Sequence, residues 1–154
     1  MQAQFTQLLH DLGKIVGLDD LAPNKDDNCV LGIDDFIVTL CLQGSSLLMY
    51  SPVGTLGEGD KEKLLTRLLN ANYFFSGTAG ATLALSPIDN EIQLLCHERL
   101  QGLGVSDLVI IVESFLERLT YWTGVCGSVL ESVPETEKNN NSIPQGFPMG
   151  AIRG

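Results

Sequence analysis

The chain has 154 residues, 44% of them hydrophobic, and a formal net charge of −10. That length supports one domain with a sizeable core and is too short for two comfortable ones. The negative charge excludes nucleic acid and anionic membrane as expected partners, because both would repel the chain.

The first stretch, Gln2–Val16, predicts an amphipathic helix. Phe5, Leu8, Leu9, Leu12, Ile15 and Val16 recur at helical spacing against Gln4, Gln7, Asp11 and Lys14, and Gly17 is the expected stop. No basic segment followed by a continuous apolar run opens the sequence, so no signal peptide is expected. No apolar run of about 18 residues predicts a membrane span either. Leu18–Asp27 carries Pro23, Asn24 and four aspartates and reads as a solvated loop.

Three β-like runs follow. Asn28–Ile33 passes through the Asp34-Asp35 turn into Phe36–Leu42, where Phe36, Val38, Leu40 and Leu42 alternate with Ile37, Thr39 and Cys41. Gln43–Ser46 turns the chain into Leu47–Val53, which ends at Gly54. Links this short make an antiparallel meander.

Asp60–Phe75, DKEKLLTRLLNANYFF, predicts the central helix. Leu64, Leu68, Ala71 and Phe75 share one stripe, and Leu65, Leu69 and Asn72 share the next. That arc is wider than one sheet face needs, so the helix is either sunk between two layers or packed on a second copy of itself. Asp60 is the expected N-cap, with Lys63 where a capping box would place Glu, and Gly77 and Gly80 are the expected stop.

Ala81–Ser86 and Glu91–Leu100 form a hairpin around Pro87-Ile88-Asp89-Asn90. In its second arm Ile92, Leu94, Cys96 and Glu98 face opposite to Gln93, Leu95, His97 and Arg99. Val105–Val129 predicts a long last helix, with Leu108, Ile111, Val112, Phe115, Leu116, Leu119 and Trp122 at helical spacing, Ser106 as its cap, and Gly124 and Gly127 fraying its end. The order α-βββ-α-ββ-α gives an α+β fold, with helices on an antiparallel sheet. Residues 1–130 form the domain, and 131–154, rich in Pro, Gly and Asn from Pro134 onward, form a disordered tail.

None of the reactive residues forms a catalytic pattern. Cys29, Cys41, Cys96 and Cys126 lie outside any C-x-x-C spacing and read as buried thiols of a reducing compartment. Cys96 and His97 are successive strand residues on opposite faces, so they cannot make a nucleophile–base pair. His10 falls on the polar face of the first helix, and two histidines without spaced cysteine partners do not make a zinc site. The doublets Asp19-Asp20, Asp26-Asp27 and Asp34-Asp35 lack the calcium-loop register. Gly54–Lys61 lacks the phosphate-loop register. No catalytic residue, metal or cofactor is expected, and the chain does not read as an enzyme.

The meander around CVLGIDDFIVTLCL, the helix LLNANYFF, the hairpin ALSPIDNEIQLLCHERL and the long last helix resemble the class I type III secretion chaperones, the CesT or Tir-chaperone family. The resemblance runs from Gln2 to Leu130, and its most specific part is Leu68-Leu69-Asn70-Ala71-Asn72 followed by aromatics and a Gly-containing turn. It implies a cytoplasmic bacterial homodimer without enzymatic activity. Such a dimer binds the N-terminal segment of one or more secreted effectors in extended form, keeps it secretion-competent, and helps deliver it to the export ATPase.

The resemblance also implies a two-fold interface on the central helix, for which Leu64, Leu65, Leu68, Leu69 and Asn72 are the candidates. Effector grooves would come from helix one (Phe5, Leu8, Leu9, Leu12) and from the sheet (Phe36, Val38, Leu47, Met49). An extended peptide can add main-chain hydrogen bonds at a sheet edge while its apolar side chains fill pockets. The alternative for each groove residue is ordinary core packing. Two other functions fit less of the pattern: a non-enzymatic adaptor of the same shape that binds a folded partner, and a small thiol enzyme.

Overall fold

Helix α1 (Gln2–Val16) buries Phe5, Leu8, Leu9 and Leu12, the i, i+3, i+4, i+7 face expected of it. The chain is seen as a computed structural model that describes residues 1–131 apart from Asp19, Glu58 and Asp60. The proposed Asp60 cap and the tail from residue 132 therefore lie outside the described residues. Helix α1 ends at Gly17, whose positive φ of 74° lets its N–H and that of Leu18 both return to the Gly13 carbonyl. Ile15 and Val16, which the spacing adds to the apolar face, are instead about half exposed, so the stripe closes at Leu12.

The sheet has five strands in the order β1-β2-β3-β5-β4 and is antiparallel. Strands β1 (Asn28–Ile33), β2 (Phe36–Gln43) and β3 (Ser46–Thr55) form the expected meander. Its register runs from Asn28 opposite Cys41 to Ile33 opposite Phe36, and from Thr39 opposite Tyr50 to Gln43 opposite Ser46. Strands β4 (Thr82–Leu85) and β5 (Glu91–Arg99) form the hairpin. Within β5, Ile92, Leu94 and Cys96 are buried while His97 is exposed, which separates that cysteine and histidine by the thickness of the sheet.

Two corrections concern the helices. The central helix α2 spans Lys61–Asn72, and Tyr73–Phe75 is a 3-10 turn in which Phe74 and Phe75 take positive φ of 49° and 55°. The stop therefore comes before Gly77, not at it. Two left-handed aromatics cannot continue a right-handed helix, and each costs about 1–2 kcal/mol relative to helical backbone. Helix α3 (Val105–Glu131) is capped by Asp107 accepting from the Gly104 N–H at 3.3 Å, with Ser106 inside the first turn, and it runs past both Gly124 and Gly127.

The chain divides into two compact units, through both of which β3, β5 and α3 pass. The first unit, Met1–Ser51 with Leu95–Glu117, has its core in α1 and in the Leu31, Val38, Leu40, Leu47 and Met49 face of the meander, together with Leu108 and Phe115. The second, Pro52–Leu94 with the chain from Arg118, buries Leu64, Leu68, Ala71, Leu83, Ile92, Leu94, Leu119 and Trp122.

Candidate docking surfaces

In the first unit, β1 is an edge strand, and its hydrogen-bonding parity follows from one bond. The Leu42 N–H donates to the Asp27 carbonyl at 3.2 Å, one step beyond the Asn28–Cys41 pair. Residues alternate in direction along an antiparallel ladder, so Cys29, Leu31 and Ile33 turn their N–H and C=O toward β2, and Asn28, Val30 and Gly32 turn theirs outward. Asn28 is closed locally: its N–H donates to the Asn24 side chain at 3.0 Å, and its C=O accepts from the Asn24 N–H at 2.7 Å. Val30 and Gly32 have no such closure among the described residues and form an open edge.

The side chains beside that edge are apolar on the solvent face. Val30 and Ile37 are each 60% exposed, and Ile37 stands opposite Gly32, which has open space where a Cβ would be. Thr39 with Tyr50 and Cys41 with Leu48 extend the same face as half-buried pairs. A glycine in an edge strand beside apolar neighbours suits the close approach of another backbone. An apolar side chain arriving there would sit over Gly32, against Val30 and Ile37.

The groove candidates of the sequence lie elsewhere. Phe5, Leu9, Leu12, Val38, Leu47 and Met49 are at most 1% exposed and Leu8 is 6% exposed, while Phe36 alone is half-buried. Core packing, the alternative for each of them, describes these seven in the single chain. The sequence alternation separated the two faces of β2 correctly, and the structure turns the Val38 face inward and the Ile37 face outward. The outward placing of Val30, Ile37, Leu48 and Tyr50 was not legible because both faces are apolar. The signal that could have found them is Gly32 together with Thr39, two residues with little reason to face a core.

In the second unit, α2 carries a second apolar surface. Leu64 (4% exposed) and Leu68 (5%) point inward, while Leu69 is 69% exposed and Leu65 half-buried. One turn on, Tyr73 and Phe74 are 70% and 82% exposed and pack edge to face at 4.5 Å between ring centroids. Leu65, Leu69 and Tyr73 follow one another at i, i+4, i+8 and form an outward stripe. Of the interface candidates, Leu65 and Leu69 are thus on the outside, Leu64 and Leu68 in the core, and Asn72 is held by Leu83: its Nδ2 donates to the Leu83 carbonyl and its Oδ1 accepts from the Leu83 N–H, both at 2.9 Å.

The turn after α2 is fixed from two sides. The Gly77 N–H donates to the Ala71 carbonyl at 3.0 Å, and the Gly77 carbonyl accepts from the Trp122 indole at 3.2 Å. A Cβ at Gly77 would stand 2.8 Å from the Ala71 Cβ, so only glycine lets the turn fold back this closely. The exposed aromatics are therefore mounted on an anchored loop.

Burial holds Cys29 and Cys41 above the usual thiol range, and pushes Cys126 up to about 11. Among the described residues no helix is long and apolar enough to cross a membrane.

No curated protein matches the sequence. Among solved structures, the ExsC–ExsE complex is similar with a TM-score of 0.71 and 19% identity, over 82% of this chain and 96% of the other. The HopA1–SchA chaperone–effector complex has a TM-score of 0.66 and 21% identity, over 79% and 94%. The type III secretion chaperone SycH of Yersinia pestis, in complex with a fragment of YscM2, has a TM-score of 0.61 and 18% identity, over 77% and 98%. These likenesses are of fold. At the level of sequence, the Tir chaperone protein (CesT) family matches residues 7–123, from within α1 to within α3, and the chain belongs to that family.

Proposed function

We propose that this protein is a cytoplasmic type III secretion chaperone that binds the N-terminal segment of one or more effectors in extended form and keeps it competent for export. It acts by binding alone and catalyses no reaction. The observation that carries the reading is the open β1 edge beside the exposed Val30 and Ile37, in a chain of the Tir chaperone family. Such an edge supplies main-chain hydrogen bonds to an extended segment, and the apolar face beside it receives alternate side chains. A segment that orders only on binding loses affinity to entropy, so it must cover a wide surface.

The outward stripe of α2 supports a homodimer with two such faces. A pair of apolar stripes joined about a two-fold axis would cover Leu69 and the aromatic corner, which are otherwise an unusual load of exposed apolar side chains. Contact with the export ATPase belongs to the same reading.

The test is co-purification of the tagged full chain from its secretion-induced host. A secreted protein held in stoichiometric amount through a protease-protected N-terminal segment is the expected result. The paired substitution Val30→Lys and Ile37→Lys should release it while leaving the fold intact, since both side chains are exposed. Retention of the client by that variant would remove the β1 face from the site. Absence of any secreted client would overturn the chaperone reading.

A further inference from the structure

The sheet has a second edge, at β4, and it is closed by a single side chain. The Ser86 N–H donates to the Glu91 carbonyl at 2.8 Å, so Ser86, Ala84 and Thr82 turn toward β5, and Leu85, Leu83 and Ala81 turn outward. The Ala81 N–H is taken by the Thr78 carbonyl at 3.1 Å. Both main-chain groups of Leu83 are taken by the Asn72 carboxamide, donor to acceptor and acceptor to donor. A carboxamide is chemically a peptide unit, so Asn72 makes the two bonds that a residue of an added strand would make. Among the described residues only Leu85 is left with both outward groups free, Ala81 keeping its carbonyl alone, and a strand needs at least two alternate residues to form a ladder.

We propose that Asn72 is a specificity-determining residue that closes the β4 edge, so that an extended segment joins the sheet along β1 and not along β4. This rests on the proposed function, in which an extended segment binds at the sheet, and it adds where that segment is refused. The closure matters because β4 lies in the same unit as the apolar α2 stripe. An open edge there would compete for the same apolar segments and template copies of the chain into larger assemblies. Residue chemistry narrows the choice at position 72. Aspartate could accept from the Leu83 N–H but not donate to its carbonyl, and alanine could do neither.

The test is residue-resolved amide hydrogen exchange on the full chain. It is run alone and with a synthetic peptide of Phe36–Gln43 carrying Cys41→Ser, a strand that β1 already accepts on its inner side. In the wild type, the Leu83 amide should exchange slowly and the Leu85 amide fast, and the peptide should protect Val30 and Gly32 alone. In Asn72→Ala, Leu83 should exchange about tenfold faster, the factor implied by losing one ordinary hydrogen bond, while Asn72→Asp, which still accepts from the Leu83 N–H, should change it little. In Asn72→Ala the peptide should then protect Leu83 and Leu85 as well, with Leu40 in the sheet core reporting that each variant is folded.

Unchanged Leu83 exchange in Asn72→Ala, or no new protection along β4 in that variant, overturns the proposal. So does a wild type in which Leu85 is already slow or the peptide already protects β4, a pattern that can be read even if a variant fails to fold. Failure of the proposed function looks different: no protection at Val30 and Gly32, with Leu83 still responding to Asn72.

Discussion

Leu68 and Leu69 are adjacent in sequence and should respond to truncation in opposite ways. Leu69 is 69% exposed in the single chain and Leu68 is 5% exposed. Full burial of a leucine is worth about 1.5–3 kcal/mol, so covering the exposed part of Leu69 yields about 1–2 kcal/mol per protomer. A two-fold interface counts each contact twice, giving about 2–4 kcal/mol per dimer. Leu69→Ala should therefore weaken association by roughly 30- to 700-fold and leave the monomer as stable as before. Leu68→Ala should instead cost about 2–5 kcal/mol of fold stability through the cavity it leaves. Sedimentation velocity over a concentration series reads the first quantity, and urea unfolding at a concentration below dissociation reads the second. A Leu69→Ala protein that dissociates at the wild-type concentration would refute the α2 interface. One that unfolds as easily as Leu68→Ala would refute the assignment of the two faces.

Three further outcomes follow from single sites. Gly13→Ala should lower stability by about 1–3 kcal/mol in urea unfolding, because a Cβ there would meet the Leu18 carbonyl oxygen at 2.5 Å and the Leu21 Cβ at 2.9 Å. Cys126 should resist alkylation at pH 8 in the folded chain. With a folded value of about 11 above an ordinary 9.0, its contribution to stability is present below 9 and is lost as pH rises from 9 toward 11, which alkaline unfolding curves of Cys126→Ala against wild type would read. Asp89 is held below the usual carboxylate value by the Ser86 hydroxyl first and the Glu91 N–H second. Its help to the β4–β5 turn is therefore present above the unfolded value and lost as pH falls through the folded one, and amide exchange at Glu91 should show the turn loosening in acid in the wild type but not in Asp89→Asn.

The order of elements, the meander, the hairpin and the inward face of α1 were legible because period is a local property. Most of the residues that alternate at 2 or recur at 3.6 bury, with Ile15, Val16, Leu69 and Phe75 as exposed exceptions. What escaped was set by contacts across the chain. Nothing in NANYFF says that the helix ends at Asn72; that end comes from Leu83, eleven residues on, which captures the Asn72 side chain. The aromatics then leave the helix in left-handed backbone, a state no local pattern of Tyr and Phe predicts. Which face of the sheet is exposed escaped for a second reason. Leu8 and Met49 are apolar in the same way as Val30 and Ile37, and a sheet with apolar residues on both faces does not by its pattern alone show which face has a cover.

An asparagine closes part of each edge of this sheet. Asn24 closes Asn28 at the start of β1, and Asn72 closes Leu83 in the middle of β4. At Asn28 the Asn24 side-chain oxygen and backbone N–H share the task, whereas at Leu83 the Asn72 carboxamide alone stands in for a missing strand. What remains open on β1 is Val30 and Gly32, two outward residues and at most four main-chain bonds. At about 0.5–1.5 kcal/mol net for each bond, such a ladder cannot hold a segment whose ordering costs about 1–2 kcal/mol per residue. Under the proposed function, the larger share of affinity would then come from apolar side chains laid on Val30, Ile37, Leu48 and Tyr50, with the edge fixing direction and register. A partner chosen in this way is recognised by its spacing of apolar residues more than by their identity, and one such face can serve more than one effector.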